Sequence, residues 1–309
     1  MRFFRLLVIL IERKTGDMII EERIRRVSEA FALLGFDGIV AFDRVEPEFR
    51  VLSTIYGRGC PKNFLYAIAI CCGLCDYQLG YGGAEKYWSS LLEAYATVEP
   101  IENEKDLSEL MSLFLEKPIN AQSRERKKLR IRKLFERGFI RELLDNMESC
   151  LANPVSTWEN LASALENPSN AKTVVFSMKV FDLANLIVSG RYLDFPQNIP
   201  IPVDFHVRNV AIASGIVDIY ESDDEVREAW LRVLEELNKH INPSVNLLRI
   251  DSIVWQVGKT AYDTKFDEER TKQALLKKLT GDMGIEHWKA NTICRELLIH
   301  LALLNFPTP

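Results

Sequence analysis

Two lysines lie within an otherwise apolar helical segment, "KTVVFSMKVFDLANLIV", residues 172–188. Lys172, Phe176 and Lys179 are four and three residues apart, so a helix places all three on one face. A lysine on an apolar helix must pair with an acid, extend its amine to solvent, or line a cavity. Because a lysine amine that has lost its proton is a nucleophile, Lys172 is a candidate for covalent chemistry.

An aspartate after a proline-rich segment is the candidate partner of this lysine. Asp204 follows "FPQNIPIPV" (195–203) and begins the apolar segment 205–215. Its carboxylate could cap that helix, or it could act as a catalytic acid held at a rigid corner. The helix 172–188 is about 25 Å long, and the extended segment 190–203 can reach about 46 Å. The chain can therefore return, so that Asp204 lies beside Lys172.

The elements that must position these residues are helical. Apolar residues recur at three- and four-residue spacing along most of the 309-residue chain, including one long segment at 125–149. Loops rich in Pro, Gly and Asn separate these segments, and strand-like alternation is scarce. This pattern predicts an all-α protein with two helical lobes and a cleft between them. We expect residues 1–17 to be an N-terminal extension and residues 18–309 to form one domain, with the hairpin and catalytic region at about 160–215.

Other chemistries find little support in the sequence. Three of the six cysteines cluster in "AIAICCGLC" (67–75), which is typical of a buried helix, and the four histidines form no metal-binding pattern. Neither a phosphate-binding loop nor a dinucleotide fingerprint is present. The apolar stretch "FFRLLVIL" (3–10) is too short to span a membrane and is interrupted by Arg5. We therefore expect a cytoplasmic protein without a metal or a nucleotide cofactor.

A strongly basic segment interrupts a chain whose net charge is −5. The residues "RERKKLRIRKLFERGFIR" (124–141) include nine basic and two acidic side chains. Such a segment could bind a phosphate backbone, or it could be a solvated helix face, and the pattern favours neither. The candidate phosphate contacts are Arg126, Lys127, Lys128 and Arg130. A non-catalytic helical nucleic-acid-binding protein that uses residues 124–141 is thus the alternative to an enzyme.

The segment that carries Lys172 and Asp204 resembles a known family. "KTVVFSMKVFDLANLIVSGRYLDFPQNIPIPVDFHVRNVAIASGIVD" (172–218) is similar to the core of the archaeal GO glycosylase family, in the helix-hairpin-helix superfamily. "EPEFR" (46–50), "GGAEKYW" (82–88) and "LRIDSIVWQVG" (248–258) extend the similarity over most of residues 18–265. The resemblance implies a DNA glycosylase and lyase that excises 8-oxoguanine. In that family the lysine forms a Schiff base with the sugar and the aspartate is its partner.

The resemblance also implies a pocket for the excised base. Phe176 and Trp255 would stack on the two faces of the purine, although without the resemblance ordinary core packing would be the better explanation of both residues. The residues implied at the edges of the base are Glu48, Trp88, Lys179 and Asp251. Glu48 stands where the family has a glutamine, so two carboxyl groups would share the pocket and one should keep its proton.

The chemistry sets one further requirement. A lysine amine is protonated at neutral pH in water, so we expect burial against Val175 and Phe176 to favour the neutral form of Lys172. The resemblance implies DNA with oxidised guanine as the partner, and a monomer that needs no cofactor.

Overall fold

The computed structural model describes residues 19–304, which form sixteen α-helices and, within that range, no sheet. The predicted extension, residues 1–17, lies outside the described residues. The helices are α1 (Glu21–Ala32), α2 (Gly35–Arg44), α3 (Pro47–Gly57), α4 (Lys62–Cys75), α5 (Gly83–Val98), α6 (Glu104–Glu116), α7 (Arg124–Glu136), α8 (Phe139–Asp145), α9 (Met147–Ala152), α10 (Pro154–Leu165), α11 (Lys172–Ser189), α12 (Phe205–Ala213), α13 (Asp223–Leu237), α14 (Leu247–Asp263), α15 (Glu268–Lys277) and α16 (His287–Leu297).

The all-α prediction is confirmed, but two regions differ from it in detail. Residues 125–149 do not form one helix, because Gly138 adopts a left-handed conformation with φ 75° and begins a second helix, α8. The helices α2 and α3 were not predicted, since each is short and neither has a side-chain N-cap. Among the described helices, none is both long and apolar enough to cross a membrane.

The buried apolar side chains form two clusters. The first cluster contains residues of α3–α11, and the second contains residues of α1, α2 and α12–α16. The proline-rich segment passes from one to the other, since Ile199 belongs to the first cluster and Ile201 to the second. This segment therefore carries the chain from the end of α11 to Asp204 at the beginning of α12.

Helix α11 lies in close contact with α4 at the centre of the first cluster. A Cβ atom at Gly73 would lie 2.8 Å from the Cα of Ser177, so glycine permits the two helices to approach this closely. Burial of nearly every side chain along the middle of α11 explains its apolar sequence. The helix ends at Gly190, which has φ 72° and donates its N–H to the carbonyl of Leu186.

Candidate active site

A small cavity of about 60 Å³, partly open to solvent, lies where α11 meets the segments from the second cluster. Five carboxyl groups, two lysines and two aromatic side chains line most of it. The lining residues are Glu46, Glu48, Asp76, Ala84, Lys172, Phe176, Lys179, Pro202, Asp204, Asp251 and Trp255.

Lys172 and Asp204 lie beside each other, as the length of the proline-rich segment predicted. The Nζ atom of Lys172 is 3.7 Å from Oδ2 of Asp204. The other carboxylate oxygen of Asp204, Oδ1, accepts the backbone N–H of Val207 at 2.9 Å and so caps α12. The two roles considered for Asp204 therefore coexist in one carboxylate, because each oxygen has a different partner.

The burial expected for Lys172 is absent. Its side chain is 43 % exposed, because it is the first residue of α11 and lies at the mouth of the cavity. Ser169 and Asn170 do not cap this helix, whose N-cap residue is Ala171. The environment of the free protein therefore does not exclude water from this amine.

Lys179, in contrast, is fully buried and held between two carboxylates. Its amine donates to Oε1 of Glu46 at 2.8 Å and to Oδ2 of Asp251 at 2.7 Å. Burial opposes the charge of Lys179, but Asp251 and Glu46 outweigh this effect and raise the pKa of its ammonium group. Lys179 is therefore a fixed cation on the cavity wall.

Sequence reasoning missed Glu46. It lies two residues before Glu48, is the N-cap residue of α3, and points its side chain at Lys179. Its Oε2 atom is buried and has no hydrogen-bond partner in residues 19–304. Burial raises the pKa of Glu46 well above its ordinary value, although Lys179 opposes this shift. The only sequence signal was a second acid beside the proline in "EPEFR".

Burial raises the pKa of three further acids around the cavity. Burial raises the pKa of Glu48 to about 7, with Lys179 acting in the opposite direction. Burial also raises the pKa of Asp251 and, against a hydrogen bond from Trp88, raises that of Asp76 to about 6. The expectation that Glu48 shares a pocket with Asp251 agrees with this geometry, and its role in base binding stays a prediction.

Trp88 does not face the cavity, and its predicted contact with the base is wrong for this structure. The indole is fully buried in the first cluster, where its ring packs edge-to-face against Tyr87 at a centroid distance of 5.5 Å. Its Nε1–H donates to Oδ2 of Asp76 at 2.9 Å. Asp76, which sequence reasoning did not consider, therefore lies between Trp88 and the cavity and presents a carboxyl group there.

Phe176 and Trp255 both line the cavity and are partly exposed to it. The amine of Lys179 lies 5.7 Å from the centroid of the Phe176 ring. Trp255 meets His206 edge-to-face at 5.9 Å. Two aromatic side chains on one cavity are suited to stack on a planar base.

The basic segment 124–141 is largely occupied by contacts within the protein. Five of its nine basic side chains pair with glutamates of neighbouring elements. These pairs join Arg124 and Lys128 to Glu116, Lys133 and Arg137 to Glu166, and Arg141 to Glu104. Arg126 and Arg132 are exposed, and within the described residues neither forms an ion pair.

Lys127 is not a phosphate contact, contrary to the prediction. It is fully buried, donates to Oδ1 of Asn120 at 2.9 Å, and lies over the rings of Tyr77 and Tyr87. Arg130 is half-buried and donates to the hydroxyl of Thr173 at 2.7 Å, next to Lys172. Helix α7 therefore supports the start of α11, which weakens the alternative of a binding protein built on this segment.

The turn between α10 and α11 is also held by basic side chains of the segment 124–141. Hydrogen bonds from Lys133 and Arg137 lower the pKa of Glu166, at the end of α10, to about 2. The indole N–H of Trp158 donates to the carbonyl of Ser169 at 2.8 Å. The hairpin that precedes Lys172 is thus fixed by side chains from α7 and α10, without the glycines usual in such turns.

Comparison with known proteins identifies relatives that match most of the chain. The family AGOG, N-glycosylase/DNA lyase, matches residues 28–291. An N-glycosylase/DNA lyase of Aeropyrum pernix is 28 % identical over 247 residues, which are 77 % of this chain and 83 % of the relative. That of Thermococcus kodakarensis is 26 % identical over 244 residues, 77 % of this chain and 84 % of the relative.

The fold has a counterpart among solved structures. Pa-AGOG, the 8-oxoguanine DNA glycosylase from Pyrobaculum aerophilum, was crystallised with 8-oxoguanosine. It superimposes with a TM-score of 0.63 at 21 % identity, over 78 % of this chain and 90 % of that chain. The fold is thus the all-α fold of that structure.

The chain belongs to the AGOG family of N-glycosylase/DNA lyases. The family prediction and the prediction of a bifunctional DNA glycosylase and lyase are confirmed.

Proposed function

We propose that the protein excises 8-oxoguanine from DNA and then cuts the strand, with Lys172 as the nucleophile. The observation that carries this proposal is the 3.7 Å separation of the Lys172 amine and the Asp204 carboxylate, at a cavity lined by two aromatic side chains. The 8-oxoguanosine in the related Pyrobaculum aerophilum structure supports the choice of base.

The target nucleotide must leave the duplex before its base can enter the cavity. Stacking on Phe176 and Trp255 offsets part of the free energy of unpairing. The pairing edge of guanine carries two donors and one acceptor, which suit a carboxyl group of Asp251 or Glu48 together with the ammonium group of Lys179. We propose these five residues as the base-binding set.

The neutral amine of Lys172 then attacks C1′ of the deoxyribose, and the bond from C1′ to the base nitrogen breaks. The base departs with the electron pair and takes up a proton. Asp204 stabilises positive charge on the sugar and accepts the proton that the attacking amine loses. The bond from C1′ to the ring oxygen then breaks, the oxygen takes the electron pair and a proton from Asp204, and a protonated imine forms between Lys172 and C1′.

The imine makes the hydrogen on C2′ acidic. Its loss as a proton breaks the bond from C3′ to the phosphate oxygen, which is β-elimination, and water later releases the lysine. Because the free protein leaves Lys172 partly exposed, the bound nucleotide itself has to exclude water and favour the neutral amine. These steps use side chains of one chain, and we propose that the protein acts as a monomer without a cofactor.

Trapping with borohydride tests the proposal directly, because it reduces the imine and links the enzyme covalently to DNA. With a duplex containing one 8-oxoguanine, the wild type should be trapped and should yield a nicked strand. Lys172→Gln should lose both while still binding the duplex, because glutamine keeps the length and polarity but lacks the amine. A trapped Lys172→Gln together with an untrapped Lys179→Gln would assign the nucleophile to Lys179 instead.

A further inference from the structure

A chain of aromatic rings leads from the cavity wall to the protein surface. It begins at Trp255 in the cavity and continues through residues of α12 and α14 and the turn after α14. Neighbouring rings meet edge-to-face at centroid distances of 5.6–6.4 Å. The members of this aromatic chain are Trp255, His206, Phe205, Tyr262 and Phe266.

Two members of the aromatic chain are exposed to solvent. Phe205 is 46 % exposed and Tyr262 is 55 % exposed, and their centroids are 5.9 Å apart. Contiguous exposed aromatic surface commonly marks an interaction site. The one lysine on α14, Lys259, is paired with Asp263. The two exposed rings themselves offer flat apolar faces, which suit a planar occupant.

The rings are held in place by tight backbone contacts. A Cβ atom at Gly258 would lie 2.7 Å from the Cβ of His206, so α12 and α14 touch at this point. Phe266 adopts φ 57°, uncommon for a residue with a side chain, and its N–H donates to the carbonyl of Ala261 at 2.7 Å. The aromatic chain is thus a preorganised surface.

We propose that Phe205 and Tyr262 form a stacking surface for the base next to the target nucleotide, which loses a stacking partner when the target base leaves the duplex. This inference rests on the proposed function, because it takes Lys172 as the position of the target sugar. Phe205 directly follows Asp204, whose carboxylate lies 3.7 Å from that lysine. Withdrawal of the target base leaves its neighbours without a stacking partner on one side, and aromatic side chains accept any base.

The experiment measures binding in a Lys172→Gln background, so that no substrate is consumed. The duplex carries 8-oxoguanine with a normal base on each side, or with one neighbour replaced by a tetrahydrofuran abasic analogue. Tyr262→Ala and Phe205→Leu should each weaken binding about tenfold on the normal duplex. On the duplex that lacks the stacked neighbour, neither substitution should weaken binding relative to the Lys172→Gln parent. Tyr262→Phe should restore normal binding.

Trp288→Ala is the matched control, since Trp288 is 53 % exposed and lies outside the aromatic chain. It should bind both duplexes as the parent does. No weakening by Tyr262→Ala, or equal weakening with and without either neighbour, would overturn the inference. A change of oligomeric state in Tyr262→Ala, measured by light scattering, would also overturn it and assign the surface to contact between copies.

A different experimental result would show that the proposed function itself is wrong. The wild type would then give no covalent product with borohydride, whatever the binding of the Tyr262 variants. A trapped wild type combined with unchanged binding in both aromatic variants would reject the stacking surface alone.

Discussion

At the scale of single residues, Asp204 combines capping and proximity to Lys172 because its two oxygens have separate partners. The sequence raised these two roles as alternatives. In the structure the cap fixes the orientation of the carboxylate, and the orientation directs Oδ2 towards Lys172. A structural role for one oxygen thereby supports a chemical role for the other.

Asp204→Asn separates these roles. Asparagine caps helices as well as aspartate does, so the melting temperature should change little. Loss of the negative charge and the proton acceptor should reduce single-turnover excision about 100-fold or more. Thermal melting and single-turnover kinetics on the same samples measure both effects. A fully active asparagine variant would contradict the proposed role of Asp204.

The Glu48→Gln variant tests the consequences of the raised pKa of Glu48, about 7. This pKa should make both the stability of the protein and its rate of excision depend on pH. In the folded protein Glu48 keeps its proton up to about pH 7, whereas in the unfolded chain its pKa is near the ordinary 4.5. Ionisation in the unfolded chain therefore lowers the free energy of unfolding as pH rises from about 4.5 to 7. Ionisation in the folded protein, at about pH 7, adds a charge beside Asp251 and should slow excision on the alkaline side.

Glu48→Gln should flatten both the loss of stability and the alkaline loss of activity. Melting temperature and single-turnover excision from pH 5 to 9 give the two profiles. Glu235→Gln, a change at an exposed acid of α13, is the control and should leave both profiles as in the wild type. Superimposable profiles for Glu48→Gln and wild type would exclude Glu48 from the base-binding set.

At the scale of helices, the close contact of α4 and α11 fixes the position of α11 at the candidate site. Gly73→Ala would place a methyl group 2.8 Å from the Cα of Ser177 and 3.1 Å from Cγ2 of Val180. We expect this crowding to lower the free energy of unfolding by about 1–3 kcal/mol. Chemical denaturation measures it. Gly57→Ala, with no atom within 4 Å of the added carbon, is the control and should not destabilise the protein.

Periodicity predicted most of the helices because long apolar stripes are visible in sequence, as in α11 and α14. It missed α2 and α3, whose ten and eleven residues begin with glycine and proline.

Glu46 could not be predicted as a partner of Lys179, because 133 residues separate them and only tertiary packing brings them together. The same holds for Asp76, which faces the cavity only because Trp88 packs behind it. Lys172 and Asp204 were predictable because the proline-rich segment is long enough to bring them together and because residues 172–218 resemble the family core.

At the scale of the whole molecule, Arg249 joins the two hydrophobic clusters. This buried residue of α14 pairs with Asp43 of α2 and, at 3.2 Å, with Asp182 of α11. Asp182 also accepts the backbone N–H of Leu193 at 2.6 Å, which ties the start of the proline-rich segment to α11. The position of Asp204 therefore depends on an ion-pair network outside the cavity.

Arg249→Met should lower the free energy of unfolding by about 3–5 kcal/mol near pH 7, because two buried carboxyl groups lose their counterion. Burial already raises the pKa of Asp182 to about 7, and Arg249 opposes that shift. Without Arg249, Asp182 should protonate more readily, so the loss of stability should be smaller at pH 5. Denaturation at both pH values tests this, with the exposed Arg25→Met as control. An equal loss at both pH values would contradict the argument.

The carboxyl groups around the cavity also bear on the part of a nucleotide that could enter it. Five acids and two lysines line this space, so the acids outnumber the cations. An excess of ionised acids repels the phosphates of the backbone, whereas an uncharged purine enters without that penalty. Under the proposed function, the cavity would therefore act as an electrostatic filter, with the base inside, the backbone at the mouth and the sugar at the level of Lys172.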